Sequence, residues 1–225
     1  MKPIAYIETD FKSKFGIPRQ SGFVPELRGR VVFLPEYSRE EAFRGLSDFS
    51  HIWLIWEFSE AKREEWSPTV RPPRLGGNKR IGVFATRSPF RPNNIGLSCV
   101  KLEKIEFIGG NVVLTVSGAD LLDGTPIFDV KPYIPAADCI SEALAGYTAE
   151  TVKHLLSVDF PEELLKQIPA EKREAIKGIL AQDPRPAYIE DRERIYGVEF
   201  AGFDVRFFVD GDRLTVVEVE KSVGK

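Results

Sequence analysis

The first 138 residues are broken into short runs rich in β-branched and aromatic residues, separated by glycine and proline, with no helical segments alternating between them. The runs fall at 4–7, 30–34, 49–58, 80–86, 97–107, 112–117 and 127–131. Such segments suit a pleated, half-buried surface. Gly109-Gly110-Asn111 predicts a hairpin turn between two of them. Strands that do not alternate with helices disfavour a doubly wound sheet and point to a barrel or sandwich. One short helix is predicted at 38–46, with Ser38 as its cap and Glu41 completing a capping box.

The pattern changes after Asp138. Helical spacing appears at 149–158, where Val152, Leu155 and Leu156 share a face, at 162–168 behind Pro161, and at 170–182. Strand patterns return at 194–200, 203–209 and 214–220, the last two joined by Asp210-Gly211-Asp212. The expected organisation is a mainly β fold: an N-terminal β-barrel over residues 1–138 and a small α+β accessory domain over 139–225. A chain of 225 residues can bury a proper core in that arrangement.

Charge is unevenly placed. Seven cations and no carboxylate lie between Trp66 and Leu102, in a chain of net charge −3, so the remainder carries −10. Within RPPRLGGNKRIGVFATRSPFRPNNIGLS the cations are Arg71, Arg74, Lys79, Arg80, Arg87 and Arg91, interleaved with four glycines and four prolines. Glycine permits close backbone approach, and proline fixes the direction of a loop. Cationic loops held this way suit an anionic, planar partner such as nucleic acid or a nucleotide-like cofactor. No apolar run approaches membrane-spanning length, and the N-terminus has no hydrophobic signal core. Cys99 and Cys139 give neither a disulfide framework nor zinc spacing, so a cytoplasmic setting is expected.

Three further clusters carry chemistry. Asp120 ends an apolar strand within 117–120, where an acid points naturally into a site, whereas Asp123 in Asp-Gly-Thr-Pro reads as a turn residue. Pro18-Arg19-Gln20 offers a guanidinium fork and an amide. In FSHIWLIWEF the apolar character indicates a core strand, and His51 reads as a hydrogen-bonded core residue. With His154 as the other histidine, nothing supports a Ser-His-Asp or Cys-His mechanism, and GxGxxG, GxxxxGK[ST] and HExxH are absent from the sequence.

Taken together, RPPRLGGNKRIGVFATRSPFRPNNIGLS, FGIPRQ, FSHIWLIW and DLLDGTPIFDVKPYIPAAD strongly resemble the TsaA-like, or TrmO, family of tRNA methyltransferases. DPRPAY at 183–188, with Tyr196-Gly197 and Asp204-Val205, resembles that family's small accessory domain. The resemblance implies a β-barrel enzyme dependent on S-adenosyl-L-methionine, acting on N6 of N6-threonylcarbamoyladenosine beside the anticodon of a threonine tRNA, and a homodimer with the cofactor near its interface. Carried over by motif, the cofactor contacts are Pro18, Arg19, Gln20, Ser59, Glu60, Arg87, Leu97, Ser117, Gly118, Ala119 and Asp120. The chain departs from the family pattern at Ser59, where histidine is frequent, and at Asn94, where PNP is usual.

On that reading Arg19 or Arg87 pairs the cofactor carboxylate and Asp120 holds its ammonium or ribose. The anticodon loop is gripped by Arg71, Arg74, Lys79, Arg80 and Arg91, with unstacked bases available to aromatic side chains. The residues do not single out a general base, for which Asp120 and Asp123 are candidates. Two other classes stay open: a non-catalytic RNA-binding module, and a metal-assisted hydrolase using Asp120, Asp123 and Asp129.

Overall fold

A computed structural model describes residues 1–61, 65–72, 79–149, 155–185 and 194–222. Six antiparallel strands close into a barrel. They are β1 (Ala5–Thr9), β2 (Arg28–Phe33), β3 (His51–Glu57), β6 (Ile95–Ile108), β7 (Asn111–Ser117) and β8 (Thr125–Pro132), and β1 closes the ring by pairing with β8. Between β3 and β6 a small ribbon, β4 (Thr69–Val70) with β5 (Ile81–Gly82), stands apart from the barrel wall.

Alternation decides which residues fill the barrel. Ile52, Leu54 and Trp56 of β3 point inward, as do Ala5 and Ile7 of β1 and Val31 and Phe33 of β2. The intervening residues of β3, His51, Trp53, Ile55 and Glu57, lie half-buried on the outer face. His51 is therefore not a core histidine. Its ring Nδ1 is 2.9 Å from the Ser50 hydroxyl on the outside. The hairpin between β6 and β7 turns on Gly109 and Gly110, both at positive φ, so the predicted turn is present. Two bulges interrupt the ladders, one at Glu103 on β6 and one at Phe128 on β8, opposite the Ile55–Trp56 step. A bulge re-aims its strand locally, and the second does so beside the end of β3 that bears Trp56.

The second layer is a four-stranded sheet of order β10 (Tyr196–Phe200), β11 (Phe203–Asp210), β12 (Arg213–Lys221), β9 (Ser157–Asp159), with β9 parallel to β12. The helix α3 (Arg173–Ala181) covers it with Ala175, Ile176, Ile179 and Leu180. Shorter helices lie at α1 (Pro135–Asp138) and α2 (Glu162–Leu165).

Three further sequence expectations change. Residues 38–46 form 3-10 turns, not an α-helix, because the Ser38 hydroxyl is used elsewhere: it donates toward the carbonyls of Leu34 and Phe33 and accepts from Val112 N–H at the start of β7. The 80–86 run pairs at Ile81–Gly82 and then turns into a 3-10 helix at Val83–Ala85. In the run read as a helix at 149–158, residues 157–158 belong to β9, and 150–154, with Val152 and His154, lie outside the described residues.

The boundary at residue 138 is crossed by side chains. Residues 10–27 leave the barrel after β1 and insert Phe11, Val24 and Leu27 into the core of the C-terminal sheet. The Phe11 ring is 1% exposed and lies 5.4 Å from that of Phe200. Lys172 pairs with Asp10, and Ala201 N–H bonds the Asp10 carbonyl at 3.1 Å. The strap then returns to the barrel through Gly118 N–H to the Leu27 carbonyl and Gly22 N–H to the Gly118 carbonyl, both at 2.9 Å. Phe11→Ala is expected to cost about 3–5 kcal/mol through the cavity it leaves. Thermal denaturation should register that as a melting temperature lower by roughly 6–20 °C for a chain of this size. A shift below about one degree would remove the strap from the C-terminal core.

Candidate active site

At the end of the barrel where β3 stops and β6 begins, a cavity of about 1500 Å³ opens. That exceeds the roughly 300–1000 Å³ usual for one small ligand. Four segments converge on it: the strap at 14–23, the end of β3 with 58–61, the loop 84–91 leading into β6, and Asp120 with Leu122 after β7. Tyr147, Thr148, Pro184 and Arg185 reach it from beyond residue 138.

Asp120 is the chemical centre of this cavity. The Trp56 indole N–H donates to the Ser98 hydroxyl at 3.0 Å, and that hydroxyl donates to Asp120 Oδ1 at 2.6 Å. Trp56 and Ser98 are both buried. The ring of Trp56 lies where a side chain at position 96 would be, since a Cβ there would sit 2.3 Å from the indole. Glycine at 96 is thus what lets the tryptophan reach Ser98. Desolvation by burial raises the Asp120 carboxyl from 3.8 to about 6. Ser98, the backbone N–H groups of Asp120 and Ser21, and the charge of Arg87 act in the opposite direction and leave burial dominant.

Over this acid, Arg87 donates to the Gln20 side-chain oxygen and Gln20 donates to the Arg19 carbonyl, so strap and loop meet across the cavity. The loop is held by its own bonds. Arg91 Nη1 donates to the carbonyls of Thr86 (2.6 Å) and Val83 (3.1 Å), and its guanidinium lies 5.6 Å from the Phe84 ring centre. The Asn94 side-chain amide donates to the Pro89 carbonyl at 2.6 Å, and the Asn94 backbone carbonyl accepts from Phe58 N–H at 2.8 Å. The Asn94 side chain thus supplies a bond within its own loop. Ser59 begins a 3-10 turn, and Glu60 next to it pairs with Lys14 at 3.1 Å.

Pro18, Arg19, Gln20, Ser59, Glu60, Arg87, Leu97 and Asp120 all line the cavity. From 117–120, Asp120 is the residue that does so: the buried Ser117 hydroxyl donates to Glu103 at 2.8 Å, Gly118 holds the strap, and Ala119 sits in the barrel core. Glu103 is held below the ordinary carboxylate range, first by Ser117 and then by Lys101. Arg71, Lys79 and Arg80 are exposed on and beside the ribbon, while Arg74 lies outside the described residues. Arg91 works inside its loop as well as lining the cavity. Sequence reasoning missed Trp56 and Ser98, which stand 42 positions apart, and the contributions of Tyr147 and Arg185.

The alternative hydrolase set does not converge. Asp123 bonds Thr9 N–H at 2.9 Å and Lys12 at 2.5 Å, and Asp129 pairs with Lys131 at 2.9 Å. Among the described residues no three His, Cys, Asp or Glu side chains are grouped to hold a metal ion, and no helix is long and apolar enough to cross a membrane.

Residues 6–139 match the tRNA-methyltransferase O N-terminal domain and residues 153–222 the TrmO C-terminal domain. The chain is 42% identical over 225 residues to a tRNA (adenine(37)-N6)-methyltransferase of Escherichia coli (strain K12), covering 96% of each. It is also 42% identical to a putative S-adenosylmethionine-dependent methyltransferase of Pseudomonas aeruginosa, covering 97% of this chain and 96% of that one. A crystal structure of TrmO from Pseudomonas aeruginosa superposes with a TM-score of 0.77 at 36% identity, covering 97% of both chains.

The raised carboxyl sets a pH dependence whose sign is fixed. Below about pH 3.8 Asp120 is protonated in both folded and unfolded chains, and between there and about pH 6 the folded state holds the proton more tightly. Its contribution to stability is therefore lost as pH rises through that window. Urea denaturation from pH 4 to 7 should show wild type losing stability relative to Asp120→Asn as pH rises. Parallel curves for the two proteins would mean that burial does not govern this acid.

Proposed function

The chain belongs to the tRNA-methyltransferase O family, and from that premise we propose that it transfers a methyl group from S-adenosyl-L-methionine to N6 of adenosine 37 in tRNA. We further propose that the base acted upon is N6-threonylcarbamoyladenosine in a threonine tRNA, and that the enzyme works in the cytoplasm as a homodimer. The observation that carries the reading is the buried Asp120 facing Arg87 and Gln20 across a cavity large enough for a cofactor and a base together.

The residues present fit the cofactor. It carries a carboxylate, an ammonium, a sulfonium and an adenine. Arg87 and Arg19 supply cations for the carboxylate, Asp120 an anion for the ammonium or ribose, and Pro18 and Leu97 apolar wall for the adenine. When bound, the cofactor supplies an electrophilic methyl group. The chain's part is to hold both reactants in line and to exclude water. Trp56 and Ser98 fix the Asp120 carboxylate before any ligand arrives, so its orientation is not purchased from binding energy. A threonylcarbamoyl group adds a carboxylate to the base, which an arginine at the cavity can grip in two-point fashion.

Arg71, Lys79 and Arg80 stand outside the cavity and suit phosphates of the anticodon stem-loop. The alternative of a non-catalytic RNA-binding module draws no support from the site, where the acid and its hydrogen-bond chain are complete.

Arg87→Ala should weaken S-adenosyl-L-methionine binding by about 1.5–3 kcal/mol, the value of a charge-assisted hydrogen bond. Isothermal calorimetry measures it directly, and equal affinity in the two proteins would remove Arg87 from the cofactor site.

With labelled cofactor, tRNA bearing threonylcarbamoyladenosine should be methylated and the same tRNA lacking that group should not, as read by nucleoside digestion and chromatography. Comparable methylation of both would contradict the proposed base. Methylation of neither, with tight RNA binding retained, would favour the binding module.

A further inference from the structure

The structure assigns a second subsite beside the cavity: Trp66 and Phe84 form a stacking platform for an unpaired nucleobase of the RNA. This deepens the reading of the preceding subsection and rests on it.

The two side chains are large, apolar and open to solvent, Trp66 at 50% and Phe84 at 69% exposure. Their ring centres are 5.9 Å apart with planes 33° from one another, so they present one tilted aromatic surface. The ribbon puts them together. Thr69 pairs with Gly82, Val70 with Ile81, and Val83 N–H bonds the Pro68 carbonyl at 2.9 Å, which brings the residues before β4 alongside those after β5. Ser67 braces the turn by donating to the Thr69 carbonyl at 2.8 Å. Arg91, itself held by the carbonyls of Val83 and Thr86, sits against the Phe84 ring.

Trp66 is the most exposed of the three tryptophans, and Phe84 the most exposed aromatic side chain among the described residues. Trp56 lies within the barrel and Trp53 is half-buried, its indole N–H on Asp138 at 3.1 Å. An exposed aromatic pair costs free energy in water that it recovers only when covered.

The surroundings select the occupant. Phe84 also lines the cavity, so the platform is continuous with the place where the reacting base must sit. Arg71, Lys79 and Arg80 are exposed on the same ribbon and its ends, and no carboxylate occurs in the sequence from Trp66 to Leu102. Aromatic faces framed by cations are the arrangement that binds single-stranded nucleic acid, the bases stacking while the phosphates meet the cations. An apolar protein surface would gain nothing from that ring of positive charge. A base adjacent to the one methylated, splayed from the loop and stacked here, would hold the acceptor nucleotide at the cavity mouth.

The test uses the full chain and a synthetic anticodon stem-loop of threonine tRNA. Trp66→Ala should weaken binding by about 5- to 150-fold, the range of one lost base–aromatic stack. Its affinity for S-adenosyl-L-methionine should be unchanged, and so should the slope of log K against log salt, since no phosphate contact is removed. Arg80→Ala should also weaken binding but, unlike Trp66→Ala, lower that slope by about one. Stem-loop binding should quench tryptophan fluorescence more in wild type than in Trp66→Phe, a variant that keeps an aromatic face and most of the affinity. Scanning abasic sites through the loop should reveal one position whose penalty in wild type disappears in Trp66→Ala. Wild-type RNA affinity in Trp66→Ala would overturn the platform. So would a change of that variant from dimer to monomer in sedimentation, which would make the pair a contact between copies of this chain. A wild-type protein that neither binds nor methylates tRNA would sink the underlying reading, and the platform with it.

Discussion

A carboxylate at the end of an apolar barrel, shielded from water, has to be held by donors, and the site depends on how Asp120 is held. The chain of hydrogen bonds from Trp56 through Ser98 to Asp120 runs across two barrel strands. Each link requires the one before it. Trp56 reaches Ser98 because position 96 has no side chain. The Ser98 hydroxyl, receiving the indole proton, is polarised to donate its own. The result is an acid that burial pushes toward the neutral form and that its donors keep within reach of ionisation. Such an acid responds strongly to the charge of whatever enters the cavity.

The strap at 10–27 supplies the other half of this arrangement. It is covalently part of the N-terminal unit, yet Phe11, Val24 and Leu27 are buried with the C-terminal sheet. Between those anchors it carries Pro18, Arg19 and Gln20 over Asp120. The C-terminal domain is thereby a clamp that positions cavity residues through the strap, besides contributing Arg185 directly. Arg185 is itself fixed by two bonds to Asp183, at 2.8 and 2.9 Å, and Asp183 has a positive φ of 51°. A non-glycine residue in that conformation is held there by its surroundings. Here the surroundings include the bond from Arg185 N–H to its carboxylate at 3.3 Å.

Strands were the most legible feature of the sequence, because inward and outward residues alternate along β1, β2 and β3 and leave a period of two. Ser38 was misread because a hydroxyl before an acidic, apolar stretch looks like a helix cap, whereas here it bonds across the barrel to Val112. The three-residue strand β9 carries too little pattern to be seen. Arg87 and Arg91 show the limit for the site. They are the same residue type in one loop, yet Arg87 faces Gln20 and Arg91 turns to the carbonyls that stiffen the loop. Which way those carbonyls point is set by the fold and leaves no mark on the sequence. The Trp56–Ser98–Asp120 chain was invisible for a related reason, since its members come from separate segments and have no shared spacing.

The distribution of charge follows from the same division of labour. A chain of net charge −3 that places seven cations and no acid between Trp66 and Leu102 has a local field opposite to that of the rest of the molecule. Anionic polymers are drawn to such a region and repelled by the remainder, so electrostatics orients an encounter before any contact forms. Inside the cavity the requirement reverses, because a sulfonium cofactor needs an anion as well as a cation. On the proposed reading Asp120 would meet it without weakening the external field, since it lies just after β7 at the cavity and is paired with Ser98. On that reading burial would allow one acid to serve a cationic ligand a short distance from a surface suited to phosphates. Were the same carboxylate on the exposed ribbon, it would cancel part of the charge on which RNA attraction rests.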